Sequence, residues 1–220
     1  MRERKNNMER VICLAIGYCF GLLQTGYLYG KAHGIDIRDH GSGNAGTTNA
    51  LRTLGKKAGL ITFLGDAFKC VFAVLLVWFI FKDTKADIMP LLKLYTGAGV
   101  ILGHNYPFYL KFRGGKGIAA SGGMMLSFDW VIVGCALVTF LVAFLLTSYV
   151  SVGSLLIYVG FMIELVVMGQ LGYFGVSQAI LNEMYIIAAI LTILAFYKHR
   201  ANIKRLLKGE ENKTILFKKK

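Results

Sequence analysis

Two stretches of this chain, residues 11–30 and 130–149, run for twenty residues each without a single charged side chain. That is the length of helix needed to cross a hydrocarbon core about 30 Å thick, at about 1.5 Å of rise per residue. Within a bilayer each backbone N–H and C=O must find its partner inside the protein, so such stretches fold as helices or as parts of a closed barrel. Four more apolar stretches approach the same length with sparse charge: residues 60–81 (interrupted by Asp66 and Lys69), 88–103 (Lys93), 152–169 (Glu164) and 178–197 (Glu183). A seventh, residues 117–128, is too short to span and reads as a partial or re-entrant crossing whose glycine-rich end is buried in protein. Hydrophobic residues make up 55% of the 220, which argues against an ordinary soluble domain. The expectation is an all-α, polytopic membrane helix bundle with about seven transmembrane helices, forming one integral membrane domain over residues 1–220.

The formal charge of +13 would suggest a nucleic-acid partner in a soluble chain, but its distribution here follows the membrane. Of 25 Lys and Arg, five lie in residues 31–58, three in 104–117 and nine after Tyr197. Seven crossings put those three regions on one side, and the tendency of Lys and Arg to stay inside makes that side the cytoplasm. The N-terminus is then outside and the C-terminus cytoplasmic; Arg2, Arg4, Lys5 and Arg10 pull against this and are offset only in part by Glu3 and Glu9. The first apolar stretch ends at Gly30-Lys31 without a small-residue cleavage pattern and reads as mature protein. Cys13, Cys19, Cys70 and Cys135 all lie in apolar segments without pairing or metal-ligand spacing, so they read as free thiols within the membrane.

The polar residues that interfacial anchoring does not explain fall in three motifs. In residues 41–59, GSGNAGTTNALRTLGKKAG, Ser42, Asn44, Thr47, Thr48, Asn49 and Arg52 stand among five glycines, Gly41 and Gly43 included. Glycine permits positive φ and close backbone approach, so N–H groups can line an anion site beside a helix start. Residues 44–52 read as one or two helical turns from which Arg52 could reach a phosphate; a flexible solvated loop is the plainer alternative. In residues 103–120, Gly114, Gly115 and Gly117 surround Lys116 just before an apolar helix, which suits a phosphate or carboxyl-phosphate ligand. A basic turn bound to anionic headgroups is the alternative. His104 reads as a general base, a hydrogen-bond donor or a structural residue, and Tyr106, Pro107, Phe108, Tyr109 and Phe112 as an interfacial aromatic belt against which an acyl chain could lie. In residues 197–213, Arg205 and Lys208 read, with the run Lys218 to Lys220, as a solvated basic segment, while His199 and Asn202 share one helix face and could complete a polar pocket. Ser151 and Ser154 are expected in the turn between the fifth and sixth crossings, where helix capping and close packing explain them as well as a substrate role does. Asp66 and Lys69, three apart, can pair along a helix, and Glu164 can face the bundle interior.

At these residues the chain resembles the PlsY-type acyl-phosphate:glycerol-3-phosphate acyltransferases, small bacterial membrane enzymes that begin phospholipid synthesis. Three patterns match in order and spacing over nearly the whole chain: GSGNAGTTNALRTLGKKAG, GHNYPFYLKFRGGKGIA and KHRANIKRLLKGEE. The resemblance implies seven spans, an active site facing the cytoplasm of the bacterial plasma membrane, and transfer of a fatty acyl group from acyl phosphate to glycerol-3-phosphate. The products would be 1-acyl-glycerol-3-phosphate and phosphate, with no metal and no cofactor. It assigns Ser42, Arg52, Lys116, His199 and Asn202 to catalysis, and Gly41, Gly43, Asn44, Thr48, Asn49, His104, Gly114, Gly115, Gly117, Ser151 and Ser154 to substrate binding. Its partners would be the two substrates, membrane lipid, enzymes that make acyl phosphate and downstream acyltransferases, and no nucleic acid.

An acyl phosphate carries a good leaving group, so the protein need chiefly orient a hydroxyl at the carbonyl and stabilise developing negative charge. No covalent nucleophile is needed, and a histidine or the substrate's own phosphate could take the proton. The chain departs from the family pattern at Ser148, where Arg is common, and at Ala120, Cys70, Leu22 and Gln24. Two other readings are a catalytically altered or silent paralogue, which those departures favour, and a membrane transporter of phosphate esters. An internal repeat and a midplane site would mark the transporter, and the sequence shows neither.

Overall fold

In the computed structural model, which describes residues 8–214, ten α-helices and three short 3₁₀ turns account for the regular structure, and no strand occurs among the described residues. Arg2, Arg4, Lys5 and Glu3, and the Lys218 to Lys220 run, lie outside them. The chain separates into two compact units at the Phe128/Asp129 boundary.

The first unit contains α1 (Met8–Gly21), α2 (Thr25–Ala32), α3 (Thr47–Leu54), α4 (Lys56–Phe81), α5 (Met89–Asn105) and α6 (Ile118–Phe128). The expected first crossing is thus two helices, because residues 22–24 leave the helical path. Buried side chains make that break tolerable. Gln24 is fully buried and its amide donates to the Gly21 and His104 carbonyls, while Lys69 of α4 donates to the Leu23 carbonyl at 2.6 Å. Carbonyls freed at membrane depth are thereby satisfied by protein.

Helix α5 is held to α1 by a glycine seam. A β-carbon on Gly99 would stand 3.0 Å from the Gly17 Cα, and one on Gly103 3.0 Å from the Gly21 Cα. The spacing of four on both helices brings the backbones together with no side chain between them, as small residues do in membrane helix pairs. Helix α6 also packs through small residues: Gly123 sits on the Ala67 backbone of α4, and Met124 fills the space above Gly97 of α5. At eleven residues α6 covers roughly 16 Å, about half the hydrocarbon thickness.

The second unit contains α7 (Trp130–Thr147), α8 (Val150–Gln170), α9 (Gln178–Lys198) and α10 (Arg200–Leu207). Asp129 caps α7 by accepting from the Val131 and Ile132 N–H groups at 2.8 and 3.3 Å, and Ser177 caps α9 through Ile180. Ser151 and Ser154 do not lie in the turn before α8, as expected, but in its first turns. The turn is made by Ser148, in the left-handed conformation at φ +61°, and by Tyr149. Neither serine caps a helix; the Ser154 hydroxyl donates back to the Val150 carbonyl at 2.7 Å.

Among the described residues, six helical segments are long and apolar enough to cross a membrane: Met8–Ala32, Lys56–Phe81, Ala86–Leu110, Trp130–Thr147, Val150–Gln170 and Gln178–Lys198. Large apolar residues cover their outer faces, such as Phe79, Leu145 and Leu146, which is the pattern of helices solvated by lipid. All four cysteines are free thiols, Cys13 and Cys70 buried, Cys19 and Cys135 on outer faces.

Candidate active site

Asn49 organises the first motif. Its buried amide donates to the Ile37 and His40 carbonyls at 2.9 and 3.0 Å and accepts from the Ser42 N–H at 2.8 Å. All three contacts converge on residues 37–42, so the approach to Ser42 is wound around one side chain. Gly41 and Gly43 take φ of +57° and +69°, where a β-carbon is strained, and a β-carbon on Gly41 would collide with the Asn49 oxygen. Asn44 accepts from the Gly46 N–H at 3.0 Å, an Asx turn that hands the chain to α3. Ser42 and Arg52 are exposed, whereas Thr47 and Thr48 are half-buried at the start of α3. Helix α3 begins at Thr47, three residues later than the turn expected at Asn44.

A bidentate pair fixes the loop before this motif. Arg38 donates to both Asp36 oxygens, Nε to Oδ1 at 3.0 Å and Nη2 to Oδ2 at 2.7 Å, and its guanidinium lies 4.8 Å from the Tyr27 ring centre. The Arg38 hydrogen bonds hold the Asp36 carboxyl down at about 2. Arg38 Nη1 also reaches the Leu110 carbonyl at 3.4 Å, which ties this loop to the second motif.

The second motif wraps the C-terminal end of α5. Gly115 N–H donates to the His104 carbonyl at 3.1 Å. A β-carbon on Gly114 would strike that carbonyl and stand 2.6 Å from Pro107 Cδ, and one on Gly115 would strike His104 Nε2. Gly117, at φ +81°, turns the chain into α6. Gly114 and Gly115 are therefore required by close contact with His104, and the half-buried Lys116 is delivered to the N-terminus of α6 by that packing.

Beneath this loop is a buried polar cluster. Lys69 Nζ lies 2.9 Å from Asp66 Oδ1 and 2.8 Å from His104 Nδ1, and Thr25 donates to Asp66 at 3.2 Å. The Asp66–Lys69 pair expected along α4 is thus present, 1% and 3% exposed in its side chains, with His104 as a third member. Thr25 and Lys69 also stand at the wall of an apolar groove of about 410 Å³, lined chiefly by Phe20, Leu23, Leu28, Phe68 and Phe72.

In the second unit Glu211 gathers the polar residues of the third motif. One carboxylate oxygen accepts from Asn202 at 2.7 Å and Ser151 at 3.1 Å, and the other from Arg205 at 2.7 Å. Burial raises the Glu211 carboxyl, but the bonds from Asn202 and Arg205 outweigh it and leave it below its ordinary value. Arg205 is therefore not simply part of a solvated basic face, as the sequence suggested, but holds this carboxylate. His199 joins α9 to α10 and is buried with Asn202. Its Nδ1 lies 2.8 Å from the Ala195 carbonyl, which can only accept, so in the neutral ring the lone pair is on Nε2.

Ser42 and Asn44 thus share one loop in the first unit, with Thr48, Asn49 and Arg52 on the helix α3 that follows it, while Gly114, Gly115, Lys116 and Gly117 form a second loop packed on His104 at the end of α5. Ser151, Asn202 and His199 belong to the second unit. Sequence reasoning did not single out Glu211, though it lies inside the third motif, and it treated Gln24 only as a departure. Glu211 is one of two adjacent acids in a basic tail, and only the fold shows which one turns inward. No cluster of three or more His, Cys, Asp or Glu suited to a metal occurs among the described residues.

The fold defines a multi-pass helical membrane protein with polar, glycine-rich loops at its helix ends. The chain belongs to the glycerol-3-phosphate acyltransferase family, whose model matches residues 11–209. It is 42% identical over 207 residues to the glycerol-3-phosphate acyltransferase of Clostridioides difficile, covering 92% of this chain and 94% of that one. The Bacillus subtilis enzyme of the same name is 37% identical over 205 residues, covering 92% and 96%. A crystal structure of PlsY, an integral membrane glycerol 3-phosphate acyltransferase, in its glycerol 3-phosphate form matches with a TM-score of 0.79 at 30% identity, covering 94% of this chain and 96% of that one. Its lysophosphatidic acid form matches with a TM-score of 0.77.

Proposed function

We propose that the protein transfers a fatty acyl group from acyl phosphate to the sn-1 hydroxyl of glycerol-3-phosphate. The observation that carries this reading is the 114–117 loop, where three glycines in close contact with the end of α5 place Lys116 at the start of α6. Such a loop offers a phosphate both backbone N–H groups and a cation. The matched PlsY structures contain glycerol 3-phosphate in one form and lysophosphatidic acid in the other, the acceptor and product of this reaction. The apolar groove beside Thr25 and Lys69 suits the acyl chain.

In this mechanism Lys116 and Arg52 neutralise substrate phosphates and Ser42 orients the acceptor, while Asn202 of the second unit is assigned to catalysis by the family resemblance alone. The hydroxyl oxygen bonds to the acyl carbon, the bond from that carbon to the phosphate oxygen breaks, and inorganic phosphate leaves. His199 Nε2 takes the hydroxyl proton, or the departing phosphate does. Asn44, Thr48, Asn49 and the glycines shape the first loop, and Ser151 and Ser154 line the start of α8. Neither metal nor cofactor takes part. The family model spans both compact units, which supports treating residues 1–220 as one acyltransferase domain.

We place the protein in the bacterial plasma membrane with seven membrane elements, its N-terminus outside and its C-terminus and active site cytoplasmic. Enzymes that supply acyl phosphate and later acyltransferases are its partners. The test is acyl transfer by purified protein with glycerol-3-phosphate and palmitoyl phosphate, following both phosphate and lysophosphatidic acid. Product from the wild type that is lost in Lys116→Ala supports the assignment. No product at any acyl-phosphate length supports instead the altered paralogue that Ser148 and the other departures favour.

A further inference from the structure

The cluster below the second loop assigns His104 a definite role within the proposed transfer. An ammonium has three hydrogens and no lone pair. Lys69 Nζ has three close partners: Asp66 Oδ1 at 2.9 Å, the Leu23 carbonyl at 2.6 Å and His104 Nδ1 at 2.8 Å, with the Gly21 carbonyl farther off at 3.4 Å. Asp66 and Leu23 can only accept, and the buried Asp66 carboxylate balances the ammonium charge. The third hydrogen therefore goes to Nδ1, and the ring's own proton is on Nε2. Asp66 Oδ1, 3.6 Å from Nδ1, is too distant to compete for that position. The opposite edge of the ring faces Gly115, whose added β-carbon would strike Nε2.

We propose that Lys69 is a positioning residue, one that holds His104 as an Nε2–H donor directed at the 114–117 loop. His104 then serves an anion in that loop, or the loop's own backbone, as a donor. It is not the general base, because its Nδ1 lone pair is occupied by Lys69 and its Nε2 carries a hydrogen. The Gln24 amide on the His104 carbonyl and the Lys69 bond to Leu23 make the break between α1 and α2 part of the same support. His199 has the opposite arrangement, with Nδ1 donating to Ala195, so the two buried histidines are committed to opposite tautomers.

The test reads the ring directly. Protein labelled with ¹⁵N-histidine in lipid bilayers, with His104 assigned by its substitution, should show the Nε2–H tautomer for His104 and the Nδ1–H tautomer for His199. In the charge-neutral double variant Asp66→Asn/Lys69→Met, the His104 signals should shift toward a mixture of tautomers, and kcat should fall about tenfold, less than the roughly hundredfold or more that follows complete loss of an aligned donor, because part of the population keeps the Nε2–H ring. His104→Gln places an N–H donor near the Nε2 position and should retain several-fold more activity than His104→Asn. A wild-type Nδ1–H ring, a doubly protonated ring, or an Asn variant as active as the Gln variant overturns the proposal. If the double variant fails to fold, the wild-type spectrum and the Gln/Asn comparison still decide. A correct tautomer in protein that transfers no acyl group would refute the proposed function while leaving the geometry intact.

Discussion

Replacing Asn49 should damage the first motif more when its shape is preserved than when it is cut away. Asn49 is 1% exposed and makes three contacts of 2.8 to 3.0 Å with residues 37–42. Asn49→Ala removes all three, leaving two carbonyls and one N–H to find water. With a net value of about 1 kcal/mol per bond, the loss should be about 3 kcal/mol, reduced where the exposed Ser42 end rehydrates. Asn49→Asp keeps the acceptor for Ser42 but sets a carboxylate oxygen against the Ile37 and His40 carbonyls at the distances now occupied by hydrogen bonds. That repulsion, added to burial of a charge with no cation among its contacts, should make the aspartate the worse variant by about 1 kcal/mol or more. Thermal unfolding in detergent measures the order, and acyl transfer measures the displacement of Ser42 through kcat/KM for glycerol-3-phosphate. An aspartate variant as stable and active as wild type would refute the claim that Asn49 acts through its two donors.

Other outcomes follow from the same contacts. Gly115→Ala should lower acyl transfer at least tenfold, because its methyl meets the His104 ring, whereas Gly122→Ala, with open space at that position, should match wild type in the same assay. Glu211→Ala removes the acceptor of Ser151, Asn202 and Arg205 and should cost about 2–4 kcal/mol in thermal unfolding, with Glu211→Gln losing less because one oxygen can still accept from Asn202 and Ser151. Asp36 is held at about 2 against an ordinary value of 3.8, so its pairing with Arg38 stabilises fully above about pH 4 and is lost as pH falls toward 2. Acid unfolding midpoints should therefore shift upward in Asp36→Asn, and an unchanged midpoint would show that the pair contributes nothing.

The helices, the glycine loops and the family were legible because each has a local signature. Charge-free runs of bilayer length and GGKG before an apolar helix are read from neighbouring residues alone. The break at residues 22–24 was not legible, since no proline marks it and the groups that satisfy it, Lys69 and His104, are 46 and 80 residues distant from their partners. The Asp66–Lys69 pair was visible at its spacing of three, but its link to His104 depends on how α4 meets α5. Ser151 and Ser154 were displaced from the expected turn because Ser148 takes a left-handed conformation that serine does not advertise. Glu211 required the chain to fold back after α10, where the Thr214 N–H reaches the Ser148 carbonyl at 2.9 Å.

The seam of Gly17 and Gly21 against Gly99 and Gly103 also governs how such a protein can diverge. Contact there is between main chains, so it stores the register of α1 and α5 without depending on the identity of any large side chain. Lipid-facing positions take no part in that contact, so exchanging one apolar residue for another there leaves the backbone approach beside Gly21 and Gly103 in place. A single added methyl in the seam would slide one helix along the other and carry Gln24, Lys69 and His104 out of alignment together. The loops at the end of α5 thus take a fixed ruler from four residues that have no side chain to vary.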